Sequence, residues 1–168
     1  MSGHSKWSQI KHKKSLTDQK RGQIFSKLSK AITLAARKGN DPKTNVALAN
    51  AIEQARSMNM PNENIQRAIK KVSEKGGAQL EEIVVEAIGP GGVALRIEGV
   101  TDNKNRTISE IKKVLSDHEA KMVQPGSIGW MFGSPVQANE QTQQKLNNLF
   151  EALDNNDDVT DITSNLIS

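Results

Sequence analysis

The stretch that decides the fold is EEIVVEAIGPGGVALRIEGVT, residues 81–101. It holds two apolar runs rich in β-branched residues, Ile83–Ile88 and Val93–Val100, separated by the turn-forming residues Gly89–Gly92. The second run alternates apolar residues with polar or small ones, as a strand with one buried face does. The stretch therefore predicts a β-hairpin. A phosphate-binding loop is the weaker interpretation, because neither a Lys-Ser/Thr pair nor a helix follows the glycines.

Downstream of the hairpin, helical and extended patterns alternate. Thr107 and Glu110 have the spacing of a capping box at the start of a helix. SIGWMF, residues 127–132, predicts a third strand, the apolar spacing of Leu146–Leu153 predicts a second helix, and Val159–Leu166 predicts a closing strand. The order β-β-α-β-α-β predicts an α+β domain with an antiparallel or mixed sheet and helices on one face.

Upstream of the hairpin, apolar residues recur at helical spacing in three segments, which predicts a small three-helix module. Helix starts are expected at Ser15, with Asp18 as the acid of a capping box, and at Asp41-Pro42. Gly76-Gly77 is the predicted domain boundary. The prediction is therefore a helical domain of residues 1–76, which includes a basic N-terminal arm, and an α+β domain of residues 77–168.

Charge is segregated along the chain. The net charge is +4 over 168 residues, but residues 1–75 hold 16 Lys+Arg against 5 Asp+Glu, whereas residues 76–168 hold 7 against 14. A basic half joined to an acidic half indicates a polyanion-binding module on an acidic body. A solvated, Lys-rich helical face is the structural alternative. A helix-turn-helix within the three helices is a further alternative, although such bundles are common without DNA binding.

Residues 1–14 show neither helical nor strand periodicity and are expected to form an extended arm. Trp7 lies among lysines without apolar neighbours, so it is poorly placed for a core and well placed to stack on an unpaired base. Folding back over the bundle is the alternative for Trp7. His4 and His12 lack an accompanying Cys or carboxylate, so phosphate or base contact, or plain solvation, is favoured over metal binding.

No catalytic constellation is evident. The chain has no Cys and no Tyr, and no nucleophile–base pair or metal cluster can be assembled from the sequence. We therefore expect no enzymatic activity, no cofactor, no metal and no small-molecule substrate. The absence of Cys, of long apolar runs and of an apolar leader predicts a cytoplasmic protein that does not associate with membranes.

Several motifs resemble the YebC/PmpR family, which includes the mitochondrial translational activator of cytochrome oxidase subunit one. The resemblance runs in order from Gly3 to Phe132, and the residues after Phe132 look like the family's C-terminal helix and strand. The motifs are GHSKWSQIKHKK (3–14), DQKRGQIFSKL (18–28), NMPNENIQRAIKK (59–71), VEAIGPGGVA (85–94), TDNKNRT (101–107) and GSIGWMF (126–132).

The resemblance implies non-enzymatic bacterial proteins that bind nucleic acid. Some members carry the label of DNA-binding transcriptional regulators, and others act on the ribosome in translation. It also implies an N-terminal helical domain and two α/β domains, the third inserted in the second. Here only residues 133–139 join Phe132 to the C-terminal helix, so the inserted third domain is expected to be missing.

The residues and the resemblance together favour a ribosome-associated translation factor that relieves stalling through contacts with ribosomal RNA. The alternative is a transcriptional regulator that binds double-stranded DNA, and a protein-binding adaptor is a weaker third class. Asn105 and Arg106 are second-tier candidates, because Asn105 can equally stabilise the turn before Thr107. The predicted nucleic-acid-binding residues are Lys6, Trp7, Lys11, His12, Lys13, Lys14, Lys20, Arg21, Lys27, Asn105 and Arg106.

Overall fold

The computed structural model describes residues 4–5, 17–74 and 79–167. The chain divides into two compact units. The helical unit is built mainly from Leu16–Glu81, and the α+β unit contains Glu82–Gly99 and Lys104–Ser168. The observed elements confirm the predicted α+β fold class. Gly76-Gly77 lies outside the described residues, and the domain bounds 1–76 and 77–168 stay predictions.

Three helices form the helical unit: α1 (Asp18–Ala36), α2 (Val46–Ser57) and α3 (Asn62–Lys70). Thr17 is the N-cap of α1, and its hydroxyl oxygen accepts a hydrogen bond from the Lys20 amide at 3.2 Å. Ser15, the predicted cap, lies outside the described residues. The predicted start of the second helix at Asp41-Pro42 is wrong, because Asp41–Thr44 form a turn and Asn45 caps α2 instead.

Most of the apolar residues that set the helical spacing are buried, as expected from their periodicity, but Val46 at the start of α2 is 75% exposed. Six of the buried ones are at most 5% exposed: Ile24, Leu28, Ile32, Leu48, Ile52 and Ile65. Burial of such side chains contributes about 1.5–3 kcal/mol apiece. A buried polar contact adds specificity to this packing, because the Thr33 hydroxyl donates to the Ala68 carbonyl of α3 at 2.8 Å.

The predicted hairpin is confirmed as β2 (Glu81–Ile88) and β3 (Ala94–Thr101), which are neighbours in the sheet. Pro90–Gly92 form a short 3-10 turn, and the Gly89 amide donates to the Val93 carbonyl at 2.8 Å. Gly91 has a φ of +73°, and a Cβ at this position would lie 2.8 Å from Cγ2 of Thr142. Backbone conformation and close packing therefore account for this glycine, as the hairpin interpretation expects.

Helix α4 (Lys104–Asp117) follows the hairpin. The predicted capping box of Thr107 and Glu110 is wrong, since the helix begins three residues before Thr107. The Thr107 side chain is completely buried, and its hydroxyl donates to the Asp158 carboxylate at 2.8 Å.

The predicted strand over residues 127–132 is also wrong. Gly129–Gly133 form a 3-10 segment, and the strand in this region is β4 (Lys121–Val123). Ile128 and Phe132 are buried, whereas Trp130 between them is 73% exposed. In a strand these three residues would share one face, so the burial pattern follows the helical spacing of four rather than the strand spacing of two.

The predicted C-terminal helix and strand are α5 (Glu140–Asp154) and β5 (Val159–Ser164). With a two-residue strand, β1 (His4–Ser5), at one edge, the sheet has the order β1-β5-β3-β2-β4, and β5 pairs antiparallel with β3. The hydrophobic core of the α+β unit contains the inward-facing residues of β2, β3 and β5 together with apolar residues of α4 and α5. The first strand, β1 (His4–Ser5), was not expected: it pairs antiparallel with β5, opposite Ser164 and Thr163, so these two residues extend the α+β sheet.

Candidate nucleic-acid interface

Of the arm, residues 1–14, the structure describes only His4–Ser5. Lys6, Trp7, Lys11, His12, Lys13 and Lys14 lie outside the described residues, so their predicted roles stay predictions. The arm was assigned to the helical domain from the sequence, whereas the backbone of His4–Ser5 pairs with β5 of the α+β unit. The only described part of the arm therefore belongs to the α+β sheet.

Lys20 and Arg21 lie near the start of α1. The Arg21 guanidinium is 3.2 Å from the Asp18 carboxylate, and the Arg21 side chain is 50% exposed. Both cations make further interactions within the protein. A nucleic acid that bound here would have to compete with these contacts, and Asp18 would oppose a phosphate.

Lys27 does not fit its predicted role. Its side chain is only 2% exposed and ranks among the largest fully buried side chains of the protein. The sequence prediction selected Lys27 from the density of cations in this part of the chain, but Lys27 lies one residue before Leu28 on the buried side of α1. Its ammonium group is not available to a phosphate in this structure.

Arg106 is committed to an internal ion pair. Its guanidinium lies 2.9 Å from the Asp158 carboxylate and 3.6 Å from that of Glu110. The Asp158 side chain is 6% exposed and also accepts the hydroxyl of Thr107. Arg106 therefore joins α4 to the turn before β5. Asn105 is exposed in the first turn of α4.

Exposed lysines that the sequence reasoning did not select lie where α1 and α3 end. We define the basic end as Lys38, Lys43, Lys70 and Lys71, all of which are exposed. None of the ion pairs formed between described residues involves them. Their common signal in the sequence is position, since each lies in the last turn of a helix or in the segment that follows it.

Two buried polar contacts bring these segments together. The Thr33–Ala68 hydrogen bond joins the last turns of α1 and α3. The Asn45 side-chain amide donates to the carbonyls of Ala35 and Gly39, at 2.8 Å each, and its oxygen accepts from the Leu48 amide. Because Asn45 is 8% exposed and Thr33 is 1% exposed, the basic end is carried by a well-packed framework.

The connection between α2 and α3 has features of a helix-turn-helix. Four residues, Met58–Pro61, separate the helices; Asn59 has a φ of +62°, and Met60 is 5% exposed. Helix α3 exposes Asn62, Gln66 and Arg67, which are side-chain types that can pair with base edges. Arg67 also lies 3.5 Å from Glu63 in a solvent-exposed ion pair.

Strands β3 and β5 of the α+β sheet carry acidic side chains, in contrast to the cationic helical unit. Glu98 of β3 lies opposite Asp161 of β5. Burial raises the pKa of Glu98, Asp161 and Glu82 raise it further, and the nearby Arg96 opposes them. Arg96 itself is 3.2 Å from Glu86 and stacks over the ring of Phe132 at 4.6 Å. This face would repel a phosphate backbone.

Metal sites and membrane spans are absent from residues 17–74 and 79–167. No group of His, Asp and Glu side chains in these ranges is placed to hold a metal ion. His118 Nδ1 lies 2.8 Å from the Val114 carbonyl, near the end of α4.

None of the described helices has both the length and the apolar character needed to cross a bilayer.

Comparisons with known proteins give consistent results. The model of the TACO1/YebC N-terminal domain matches residues 5–75, and the model of the TACO1/YebC second and third domain matches residues 80–135. A probable transcriptional regulatory protein of Thermoanaerobacter pseudethanolicus is 54% identical over 134 residues, which are 79% of this chain and 54% of the relative. A probable transcriptional regulatory protein of Chlorobaculum parvum is 54% identical over 134 residues, which are 79% of this chain and 53% of that relative.

The chain thus spans about half the length of these curated relatives. A crystal structure of a conserved hypothetical protein from Aquifex aeolicus, at 31% sequence identity, superposes with a TM-score of 0.84 and covers 96% of each chain. The two domain matches in sequence order, together with this structural similarity, show that the chain belongs to the TACO1/YebC family.

Proposed function

We propose that this protein is a non-enzymatic, nucleic-acid-binding regulator that works in the cytoplasm as a ribosome-associated translation factor and relieves stalling through contacts with ribosomal RNA. The observation that carries the proposal is the segregation of charge. Described residues 17–74 hold 11 Lys+Arg against 5 Asp+Glu, and residues 79–167 hold 7 against 14. A cationic helical unit suits a polyanion, and four further lysines precede it in residues 1–16.

The relatives support the regulatory part of this proposal. They carry the name probable transcriptional regulatory protein, which describes a regulator and names no enzymatic reaction. The choice of RNA comes from the arm. A cationic segment that contains a Trp suits irregular, partly single-stranded RNA, in which unpaired bases are available for stacking. We also propose that the chain lacks the family's inserted third domain and works without it.

A double-stranded DNA-binding transcriptional regulator is the second candidate. The helix-turn-helix features of Met58–Pro61 and the exposed Gln66 and Arg67 of α3 favour it. Under this alternative, Gln66→Ala and Arg67→Ala would relax sequence preference on duplex DNA by about 1–3 kcal/mol for each base pair that is no longer recognised. Under the translation proposal, the same substitutions would change affinity for all sequences alike.

The experiment that separates the two candidates is ultraviolet crosslinking in cells, with a C-terminal tag and sequencing of both RNA and DNA. The translation proposal expects crosslinks concentrated on the RNA of the large ribosomal subunit. Discrete promoter crosslinks with little ribosomal RNA would replace it by the transcriptional alternative. Crosslinking to neither would leave an adaptor that binds proteins.

The contribution of the arm has its own test in solution. Replacing Lys11, Lys13 and Lys14 by Ala should weaken binding to every sequence. The dependence of log K on log salt should become shallower by about 0.7–0.9 for each phosphate that is no longer neutralised. Unchanged affinity and an unchanged salt slope would mean that the arm is not the binding element.

A further inference from the structure

We propose that the basic end, Lys38, Lys43, Lys70 and Lys71, is a second binding surface that contacts the phosphate backbone of double-helical RNA. The proposal rests on the proposed function for the choice of RNA, and it assigns contacts to residues outside the arm. The first support is position. The Thr33 hydroxyl donates to the Ala68 carbonyl. Lys70 and Lys71 are two and three residues beyond Ala68, and Lys38 is five residues beyond Thr33.

The covalent geometry keeps these charges near each other. Lys70 is the last residue of α3 and Lys71 follows it, so with a helical rise of about 1.5 Å per residue both begin within roughly 5 Å, along the helix, of the Thr33–Ala68 bond. Lys38 lies in the turn two residues after the end of α1. Lys43 joins the group through Asn45, two residues later, whose side chain binds the carbonyls of Ala35 and Gly39. Three separate segments thus present lysines at one place on the helical unit.

The local acids do not neutralise this surface. Asp41 and Glu74 are the carboxylates in the same segments. The Asp41 carboxylate accepts a hydrogen bond from the Lys43 backbone amide at 2.9 Å, so it is used to shape the turn. Glu74 is exposed. By formal charge, these two carboxylates offset only half of the four lysines, which leaves an excess of positive charge on exposed side chains that can each reach a phosphate oxygen.

The chemistry favours a helical backbone over unpaired bases. Binding of single strands relies on aromatic side chains that stack on bases, and the basic end contains none. Double-helical RNA is bound mainly through its shape, its phosphates and its 2′-hydroxyls, which suits lysines on a rigid framework. The arm with Trp7 and the basic end would then bind different features of one folded RNA.

The test is a salt titration of binding with the full chain and a labelled RNA hairpin. The variant carries Lys38→Gln, Lys43→Gln, Lys70→Gln and Lys71→Gln. The matched control carries the same charge change in the α+β unit, at Lys112, Lys113, Lys121 and Lys145, all of which are exposed. Circular dichroism and thermal unfolding check that both variants fold.

We expect the basic-end variant to bind more weakly and its slope of log K against log salt to fall by up to about 2.8–3.6, at 0.7–0.9 for each of four phosphates. The control should keep the slope of the parent protein, and a third variant with Arg at all four positions should keep most of it. An equal decrease in the basic-end variant and the control would overturn the proposal, because it would reflect net charge alone.

Further outcomes separate this inference from the proposed function. If the parent protein binds no RNA, the proposed function fails. If the parent binds and only the arm substitutions lower the slope, the inference fails while the proposed function stands. Tighter, basic-end-dependent binding to duplex DNA of the same sequence would overturn the assignment to RNA. A basic end that binds polyglutamate as tightly as the RNA hairpin would overturn it in favour of an acidic protein partner.

Discussion

Arg106 and Asp158 form an ion pair that joins the start of α4 to the turn before β5, with 2.9 Å between the guanidinium nitrogen and the carboxylate oxygen. The same carboxylate oxygen accepts the buried hydroxyl of Thr107 at 2.8 Å. Asp158 is nearly inaccessible to solvent, so these donors offset the free-energy cost of burying its carboxylate. A residue that the sequence suggested for RNA contact thus has an internal structural partner.

Asp158→Ala should therefore destabilise the protein by about 2–4 kcal/mol, because it leaves the Thr107 hydroxyl and the Arg106 guanidinium without this acceptor. Arg106→Ala should cost less, about 1–2 kcal/mol, since Arg106 is about half-exposed and solvent screens its charge. Urea unfolding measures both free energies, with Lys112→Ala as an exposed control on the same helix. If Arg106→Ala instead leaves stability unchanged and flattens the salt slope of RNA binding, the predicted RNA contact is correct.

The parts of the fold predicted from sequence are those whose pattern has a local cause. The hairpin at residues 81–101 follows from alternating apolar residues around a Gly-rich turn, and the spacing of Leu146 and Leu149 marks α5. The failures involve tertiary contacts. Residues 127–132 contain strand-forming residue types, yet Trp130 is exposed between the buried Ile128 and Phe132, which the alternation of a strand does not allow, and Gly129–Gly133 form a 3-10 segment. Thr107 has the chemistry of a cap but is used by Asp158, 51 residues away.

The candidate site shows the same division. A count of charges identifies the helical unit as cationic, but it does not distinguish a buried lysine from an exposed one. Lys27 and Lys38 count equally in the charge of the helical unit, but Lys27 is buried in α1 whereas Lys38 is exposed just after the end of that helix. The basic end depends on a contact between Thr33 and Ala68, which are 35 residues apart. Nothing in the local sequence specifies that contact.

Asn45 should be more important for stability than an ordinary N-cap residue. It caps α2 and also donates to the carbonyls of Ala35 and Gly39. Asn45→Ala should cost about 2–3 kcal/mol, of which about 1 kcal/mol is the cap and the remainder is the absence of buried hydrogen bonds. The matched control is Asn139→Ala, because Asn139 caps α5 with one exposed hydrogen bond to the Thr142 amide. Equal costs for the two variants, measured by chemical unfolding, would contradict this role.

Thr33→Val tests the contact that joins α1 to α3. Valine has nearly the same shape but lacks the hydroxyl, so the one hydroxyl proton that the carbonyls of Ser29 and Ala68 share is lost. We expect the free energy of unfolding to fall by about 1–2 kcal/mol. Thr44→Val is the control, since Thr44 is exposed and its hydroxyl bonds within its turn, to the Asp41 carbonyl at 3.3 Å. A Thr33→Val protein as stable as the Thr44→Val protein would show that the buried hydroxyl contributes nothing.

Glu98 should make the stability of the protein depend on pH. Burial, with Asp161 and Glu82 nearby, raises the pKa of this carboxyl above its ordinary value. A folded state with a raised carboxyl pKa holds the proton more tightly than the unfolded chain does. Stability from this group is therefore greatest at acid pH and falls as pH rises from the ordinary carboxyl pKa through the raised one.

Glu98→Gln removes that ionisation while keeping the size of the side chain. The variant should be more stable than the parent protein at neutral pH, and the difference should shrink at pH values below the ordinary carboxyl pKa, where Glu98 is protonated in both states. Thermal unfolding at a series of pH values measures the difference, with Glu53→Gln on an exposed position of α2 as the control. A gain that is the same at every pH would mean that the charge of Glu98 is not its cause.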